Sequence, residues 1–503
     1  MYDVTISDPA FTVAGATYAV DSEKFVPRNV KQRESILKNV DIGPQLFNAL
    51  CAAGTHSQNT IYELLGSKIL KFAQDIDEES LNNGQLRNKL RDYLDSYVRK
   101  VFDNTLARGH IDVADMGTYL LVGKDVPRLV SLFLCSPHYL SHEQQSLRYS
   151  EPSSFHIPSS LKNTHLGGRA LKLIEDAYST YKQLIEVGIP KEDARSLLPL
   201  AVNSNITTIG GGREFTYLEV VSKNKFVVLP QVVKESIAQI LNSVTKIAPE
   251  VFKDRGPNYD IRRYYPAPQF FVSDNRLVSE AVKKSGQDKV YLLGFHDSGM
   301  DLNKEEIFEG VTNGNPTLFT NLLHVKAVFL VKFSLEAAHQ AIRHRTWNHD
   351  FESLYTAAER FDYMVPPSIE RSKFLNEYHR IVQSFYELYK NVRDEVSKSE
   401  AIIFLTNAHY IYDVVEIDGW NMIGNLPLRT CEKAQWEIRG IAKLMSSKIA
   451  WGSAESGFKG NKVMSFFTLP PCHTFNVCFE DNTKEVCPIY HHKFLKNQQK
   501  LTA

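Results

Sequence analysis

The chain has 503 residues, 43% hydrophobic and 23% charged, and its 58 basic side chains balance its 58 acidic ones to a formal net charge of zero. This composition is ordinary for globular domains, and at roughly 100–200 residues each the length predicts about two to four of them. The neutral balance argues against a nucleic-acid binder, which needs a basic surface to release counterions. The chain also lacks a membrane-spanning apolar run and a signal-peptide pattern, so a cytoplasmic protein with no membrane partner is expected.

Leu86, Leu90, Leu94, Val98 and Val101 recur at helical spacing and predict a core-facing helix. Residues 108–135 read as extended, through GTYLLVG and then VPRLVSLFL. A long helix is predicted near 169–187, then a strand-rich piece holding Gly210, Gly211 and Gly212. Those glycines lack the Gly-Lys-Ser/Thr of a phosphate loop, so a turn between strands is expected. Residues 255–271, rich in Pro, Gly and Arg, predict a connecting segment. Its Tyr264, Tyr265, Phe270 and Phe271 are expected to pack it onto a core. The second half predicts a strand from His324, a helix over AAHQAIRHR, an amphipathic helix from 374, and a last helix through EKAQWEIRGIAKLMSSKIA. A boundary near 235–260 divides the chain into 1–240, with an N-terminal helical extension, and 241–503.

The halves repeat at an offset of 207 residues, which pairs Ser146 with Ser353, Leu147 with Leu354, Ile174 with Ile381 and Tyr178 with Phe385. Arg343, His344 and Arg345 make a dense cationic patch, followed after seven residues by Ser353. Guanidinium groups grip phosphate and carboxylate with two prongs, which lysine cannot reproduce.

Arg-His-Arg-x7-Ser resembles the signature of the flavin-dependent thymidylate synthases. In that family the motif continues Ser-x-Arg-Tyr-Ser-Glu. The second half departs there, with Tyr355 and Thr356, while the first half reads Ser146-Leu147-Arg148-Tyr149-Ser150-Glu151. Conversely the first half carries Ser136-Pro137-His138 in place of Arg-His-Arg. Ala194-Arg195 through Pro199 is similar to the family's Ala-Arg-x-x-Leu-Pro, and Ile402 stands at the second-half position of Arg195. Arg213 matches a family arginine near the flavin, and its counterpart is Trp420. The closing Leu-Arg and Ala-Gln-Trp-Glu-Ile-Arg are kept at Leu428-Arg429 and Ala434–Arg439, with Ser222 opposite Arg429.

The resemblance implies an α/β fold of two homologous domains, each an antiparallel-rich sheet flanked by long helices. It implies reductive methylation of dUMP to dTMP, with FAD as cofactor and NADPH and methylenetetrahydrofolate as co-substrates. It assigns Arg343, His344, Arg345, Thr320 and Arg213 to the flavin. Gln340, Ser146, Leu147, Arg148, Arg195 and Ser353 go to the nucleotide, and Arg429 to the uracil ring as the catalytic group. It further implies a homodimer forming a four-domain pseudo-tetramer. Glu143-Gln144 and Asp350-Phe351 replace the family's Asn-Glu, and Lys433 replaces a histidine. These departures leave a second expectation, a relative that binds nucleotide or flavin with altered or lost activity. The tail residues Cys472, His473, Cys478, Cys487, His491 and His492 match no common zinc spacing, so no metal is expected.

Overall fold

A computed structural model describes residues 4–19, 22–30, 33–76, 82–152, 154–285, 288–299, 303–453, 458–478 and 487. It divides into two compact units. The first comprises Met1–Ser179, Leu200–Ala267 and Leu388–Ile403, and the second Thr180–Pro199, Pro268–Glu387 and Phe404–Ala503.

The first unit is built on strands β1 (Ala10–Ala16), β2 (Thr118–Pro127), β3 (Ser141–Gln144) and β4 (Asn203–Gly211). They form one antiparallel sheet in the order β1-β2-β4-β3. Among its helices are α1 (Pro44–Gly54), α2 (Ile61–Gln74), α3 (Asn83–Asn104), α4 (Arg128–Leu134), the start of α5 (His165–Glu186), α6 (Gly212–Ser222) and α7 (Gln231–Ile247). The helix expected from Leu86 onward is α3, whose Leu86, Leu90, Leu94 and Val98 are buried. Asn82 and Gln85 close its first turn with a capping box, which satisfies two amide donors that a helix start leaves open.

The second unit repeats the sheet with β5 (Val290–His296), β6 (Lys326–Ser334), β7 (Asn348–Phe351) and β8 (Tyr410–Asp418), in the order β5-β6-β8-β7, again antiparallel. Among its helices are α8 (Arg276–Ser285), α9 (Pro316–Leu322), α10 (Leu335–Ala341), α11 (Leu354–Ala358), the start of α12 (Leu375–Glu395), α13 (Gly419–Ile423), α14 (Leu426–Thr430) and α15 (Trp436–Trp451). The 207-residue offset holds at the level of elements. It carries Arg128–Leu134 onto Leu335–Ala341, Ser141–Gln144 onto Asn348–Phe351, and Asn203–Gly211 onto Tyr410–Asp418. The expected fold of two α/β domains with antiparallel sheets is the one observed.

The two sheets differ in what covers them. Along β2 buried and open positions alternate, and Val122 on β2 and Ile209 on β4 stay 41% and 43% exposed. β6 is buried almost throughout, because α8 lays Val278 and Ala281 over Tyr291, Leu330, Tyr412 and Val414. A strand covered on both faces loses its period-two pattern and reads as a continuous apolar run.

Three local expectations change. VPRLVSLFL is a strand only as far as Pro127, and Arg128–Leu134 is helix α4. Every residue of α4 is buried, so no face was left polar to reveal the helical period. Gly210, Gly211 and Gly212 lie at a strand-to-helix junction, the end of β4 and the start of α6. Close approach demands them: a Cβ on Gly210 would lie 2.3 Å from Leu140 Cδ2, and one on Gly211 2.3 Å from Asp115 Oδ1. Finally, α1, α2 and α3 follow β1 and precede β2, its partner in the sheet. These helices are an insertion between neighbouring strands. The 255–271 connector has only two short 3-10 turns, and its Phe270 and Phe271 are buried.

Candidate functional site

In the second unit the site begins where β6 hands over to α10. Ser334 caps α10, accepting the Ala337 N–H. Its own N–H and hydroxyl donate to the two oxygens of buried Glu437, at 3.0 and 2.5 Å. The Ala434–Arg439 motif is thus largely scaffold. Gln435 caps α15, Trp436 Nε1 donates to Asp193 at 2.8 Å, Glu437 holds Ser334, and Arg439 straps the Glu432 carbonyl at 2.6 Å.

Gln340 lies on α10, one turn beyond Glu336. The loop after it is pinned from α13. Thr346 Oγ1 donates to Asn421 Oδ1 at 2.9 Å, and Asn421 Nδ2 returns a bond to the Thr346 carbonyl at 3.1 Å. Arg343 and Arg345 are exposed on this pinned loop, with His344 half-buried between them. His344 stacks on Trp347 with ring centroids 4.8 Å apart at 24°. Its Nε2 accepts the Nε–H of Arg429, on α14, at 2.8 Å. Burial first, then the charges of Arg429 and His349, push the His344 pKa down to about 3. The Arg-His-Arg patch therefore carries two positive charges at neutral pH, not three. Thr320 is exposed on α9, which packs against α13.

Two predicted residues make structural contacts. Ser353 is fully buried, caps α11 by accepting the Tyr355 N–H, and donates its hydroxyl to the Val272 carbonyl. Arg195, only 5% exposed, is carried into this unit with Thr180–Pro199 and pairs with Glu336, 1% exposed, at 2.7 Å. The same segment is held by Asn407, whose Nδ2 donates to the Leu198 carbonyl at 2.8 Å, and by Ser196 against Tyr378 at 3.0 Å.

The first unit holds Ser146, Leu147, Arg148 and Arg213. Ser146 is exposed and organises a tight turn, its carbonyl accepting the Ser150 N–H at 2.9 Å. Leu147 is a buried core residue, so only its backbone can face a ligand. Arg148 lies over the ring of Tyr149, which is 75% exposed. Arg213 is neutralised by its own surroundings. Its Nε lies 2.9 Å from Asp115 and 3.7 Å from Glu214, and its guanidinium sits over Tyr139.

Burial, partly offset by Arg213, raises the Glu214 pKa from its ordinary 4.5 to about 7. The folded state therefore holds this proton where the unfolded chain has lost it, and stability falls as pH rises from about 4.5 to 7. Thermal melts of the parent and Glu214→Gln across that window should differ by this fall, with the variant gaining stability relative to the parent as pH rises. An unchanged slope in the variant would refute the assignment.

Sequence reading missed Glu336, Trp347, Asn421 and Asp193. Two had a signal. Glu336 is a carboxylate inside the apolar run Leu335–Ala338, and Asp193 has an acidic counterpart 207 residues on, Glu400. Glu400 accepts the Gln231 N–H at the start of α7, much as Asp193 accepts Trp436 at the start of α15. Among the described residues no group of His, Cys, Asp and Glu is placed to hold a metal, and His491 and His492 lie outside them. Nor is any described helix long and apolar enough to cross a membrane.

Residues 58–225 and 303–450, more than half the chain, match the family described as thymidylate synthase complementing protein. The chain is similar to a flavin-dependent thymidylate synthase of Sulfolobus acidocaldarius, 28% identical over 174 residues, 33% of this chain and 63% of that protein. It is also similar to one of Saccharolobus solfataricus, 29% identical over 180 residues, 33% of this chain and 65% of that protein. The match thus spans a little under two thirds of either relative. A solved structure, the UMP/dUMP methylase PolB from Streptomyces cacaoi bound with 5-Br dUMP, is 14% identical over 52% of this chain and all of that one, with a TM-score of 0.35. The match recurs over three strands of each repeated sheet, and the chain belongs to the thymidylate synthase complementing protein family, in two tandem copies.

Proposed function

We propose that this chain is a flavin-dependent thymidylate synthase that converts dUMP to dTMP, with FAD as cofactor, methylenetetrahydrofolate as methyl donor and NADPH as reductant. One observation carries the reading. The Arg343–Arg345 loop, on elements the family match covers, is joined through His344 to Arg429. The donor set also fits an anionic dinucleotide. Two exposed arginines, Arg343 and Arg345, stand on a loop held from α13, and Thr320 is exposed on α9 with its hydroxyl donating to the Pro316 carbonyl at 3.0 Å. FAD, when bound, supplies hydride chemistry that the protein only positions.

The chain's own residues do the rest. Arg343 and Arg345 neutralise phosphate oxygens, and Gln340 orients the nucleotide. Arg429 stabilises the negative charge that develops on the pyrimidine in a site poor in water. Ser146 and Arg148 of the first copy supply nucleotide contacts. Arg213, already paired with Asp115, adds little to anion binding. The copies correspond to 1–240 and 241–503, and two chains build the four-domain body in the cytoplasm. Sedimentation should show twice the chain mass, and a stable monomer retaining flavin would count against that assembly.

Tritium release from dUMP labelled at C5, with NADPH and methylenetetrahydrofolate, tests the activity. Folded, flavin-loaded protein that releases none would leave the second reading, a binding relative without turnover. The lost Asn-Glu pair and the engaged Arg195 favour that alternative. If the residues are divided between the copies, bound flavin should titrate at about one per chain by its visible absorbance. Two equivalent tight sites per chain would contradict the division.

A further inference from the structure

The geometry points to His344 as the positioning residue of Arg429: a neutral imidazole, protonated at Nδ1, whose Nε2 holds the guanidinium by its Nε–H, so that a ligand meets Nη1 and Nη2. The resemblance assigns this histidine to the flavin. The contacts give it a second task.

An arginine Nε–H can only donate, so the Nε2 that meets it at 2.8 Å is an unprotonated acceptor. The ring proton then sits on Nδ1. Three neighbours hold the imidazole in that state and place. Trp347, itself buried, stacks on one face. The backbone fixes the turn, with His344 N–H donating to the Ala341 carbonyl at 2.9 Å and Trp347 N–H to the His344 carbonyl at 2.8 Å. Arg429 and His349 face the ring from α14 and β7, and both charges oppose its protonation. His349 is itself anchored, Nδ1 to Asp413 at 2.6 Å and Nε2 to the Ala341 carbonyl at 3.1 Å.

The arrangement matters because Arg429 stands on the five-residue helix α14 and is half-buried. A long side chain there has many rotamers, and one bond at Nε selects among them before a ligand arrives. The Nη edge is then preorganised, which is the condition for guanidinium to favour a developing anion over the ground state.

The catalytic part rests on the synthase reading, whereas the tautomer does not, so the test has two arms. In the first, full-length flavin-loaded protein labelled with 15N-histidine is compared with His344→Gln. The expected result is one neutral imidazole, protonated at Nδ1, that does not titrate between about pH 5 and 8 and is missing from the variant. A His344 signal that titrates in that range would overturn the proposal.

In the second arm, His344→Phe keeps a ring on Trp347 but removes the acceptor. Its kcat per bound flavin should fall on the order of 100-fold. His344→Gln, whose Oε1 reaches the place of Nε2, should restore kcat to within about tenfold of the parent. Equal impairment of both variants with flavin retained, or a Phe variant as active as the parent, would also overturn it. Parent protein that shows the imidazole signature and no tritium release would support the assignment of His344 and defeat the synthase reading alone.

Discussion

Arg429→Ala is expected to lower tritium release from C5-labelled dUMP by about 100- to 1,000-fold, the cost of removing one preorganised donor from a developing anion. The fold should survive. Arg429 is half-buried on α14, and the neighbouring buried side chains of that helix, Leu426, Pro427 and Thr430, are untouched. A second signature accompanies the first. The depressed pKa of His344 means the unfolded chain binds a proton that the folded state refuses between about pH 3 and 6.5. Stability therefore rises with pH through that window and is lost on acidification. Removing Arg429 takes away one of the opposing charges, so the variant should lose less stability when acidified. A variant with near-parental turnover would remove Arg429 from the chemistry. An unfolded variant would show that α14 depends on its arginine.

The second large effect is on stability. Arg195 and Glu336 are both nearly inaccessible and paired at 2.7 Å. Removing one partner leaves a buried charge uncompensated, which costs about 3–5 kcal/mol. Arg195→Ala and Glu336→Ala should each lower the denaturation midpoint strongly. Arg195→Met combined with Glu336→Leu should recover most of the loss, because replacing both charges by apolar groups of similar volume is often neutral. Single variants within about 1 kcal/mol of the parent would show a solvated pair. Binding of dUMP to the double variant addresses a separate question. Unchanged affinity would make Arg195 a structural arginine here, and a large loss would restore it to the nucleotide.

Much of the fold was legible because its signals are local. The helical stripe of α3, the apolar strand β6 and the amphipathic α12 each declare themselves within about 20 residues. The repeat was legible because an offset of 207 survives wherever no residue is inserted, from α4 through β4 and from α10 through β8. The limits of the repeat were not legible. β1 pairs with β2 across the long insertion carrying α1 to α3, and sequence separation says nothing about hydrogen bonding between strands.

The candidate site divides along the same line. The sequence by itself determined the family likeness, the Arg343–Arg345 loop and Arg429, because guanidinium chemistry is carried by residue identity and spacing. It also marked Ser353, Arg195 and Arg213, but identity cannot say whether a polar group faces a ligand or a neighbour. Only the tertiary structure decided that Ser353 caps a helix, that Arg195 is matched by Glu336, and that Arg213 is neutralised by Asp115. It alone made His344 a neutral acceptor rather than a third cation, since a histidine's charge depends on what buries it and what stands beside it. It also placed Thr180–Pro199 in the second unit and Leu388–Ile403 in the first. Burial partners come from anywhere along a folded chain, and no local pattern records them.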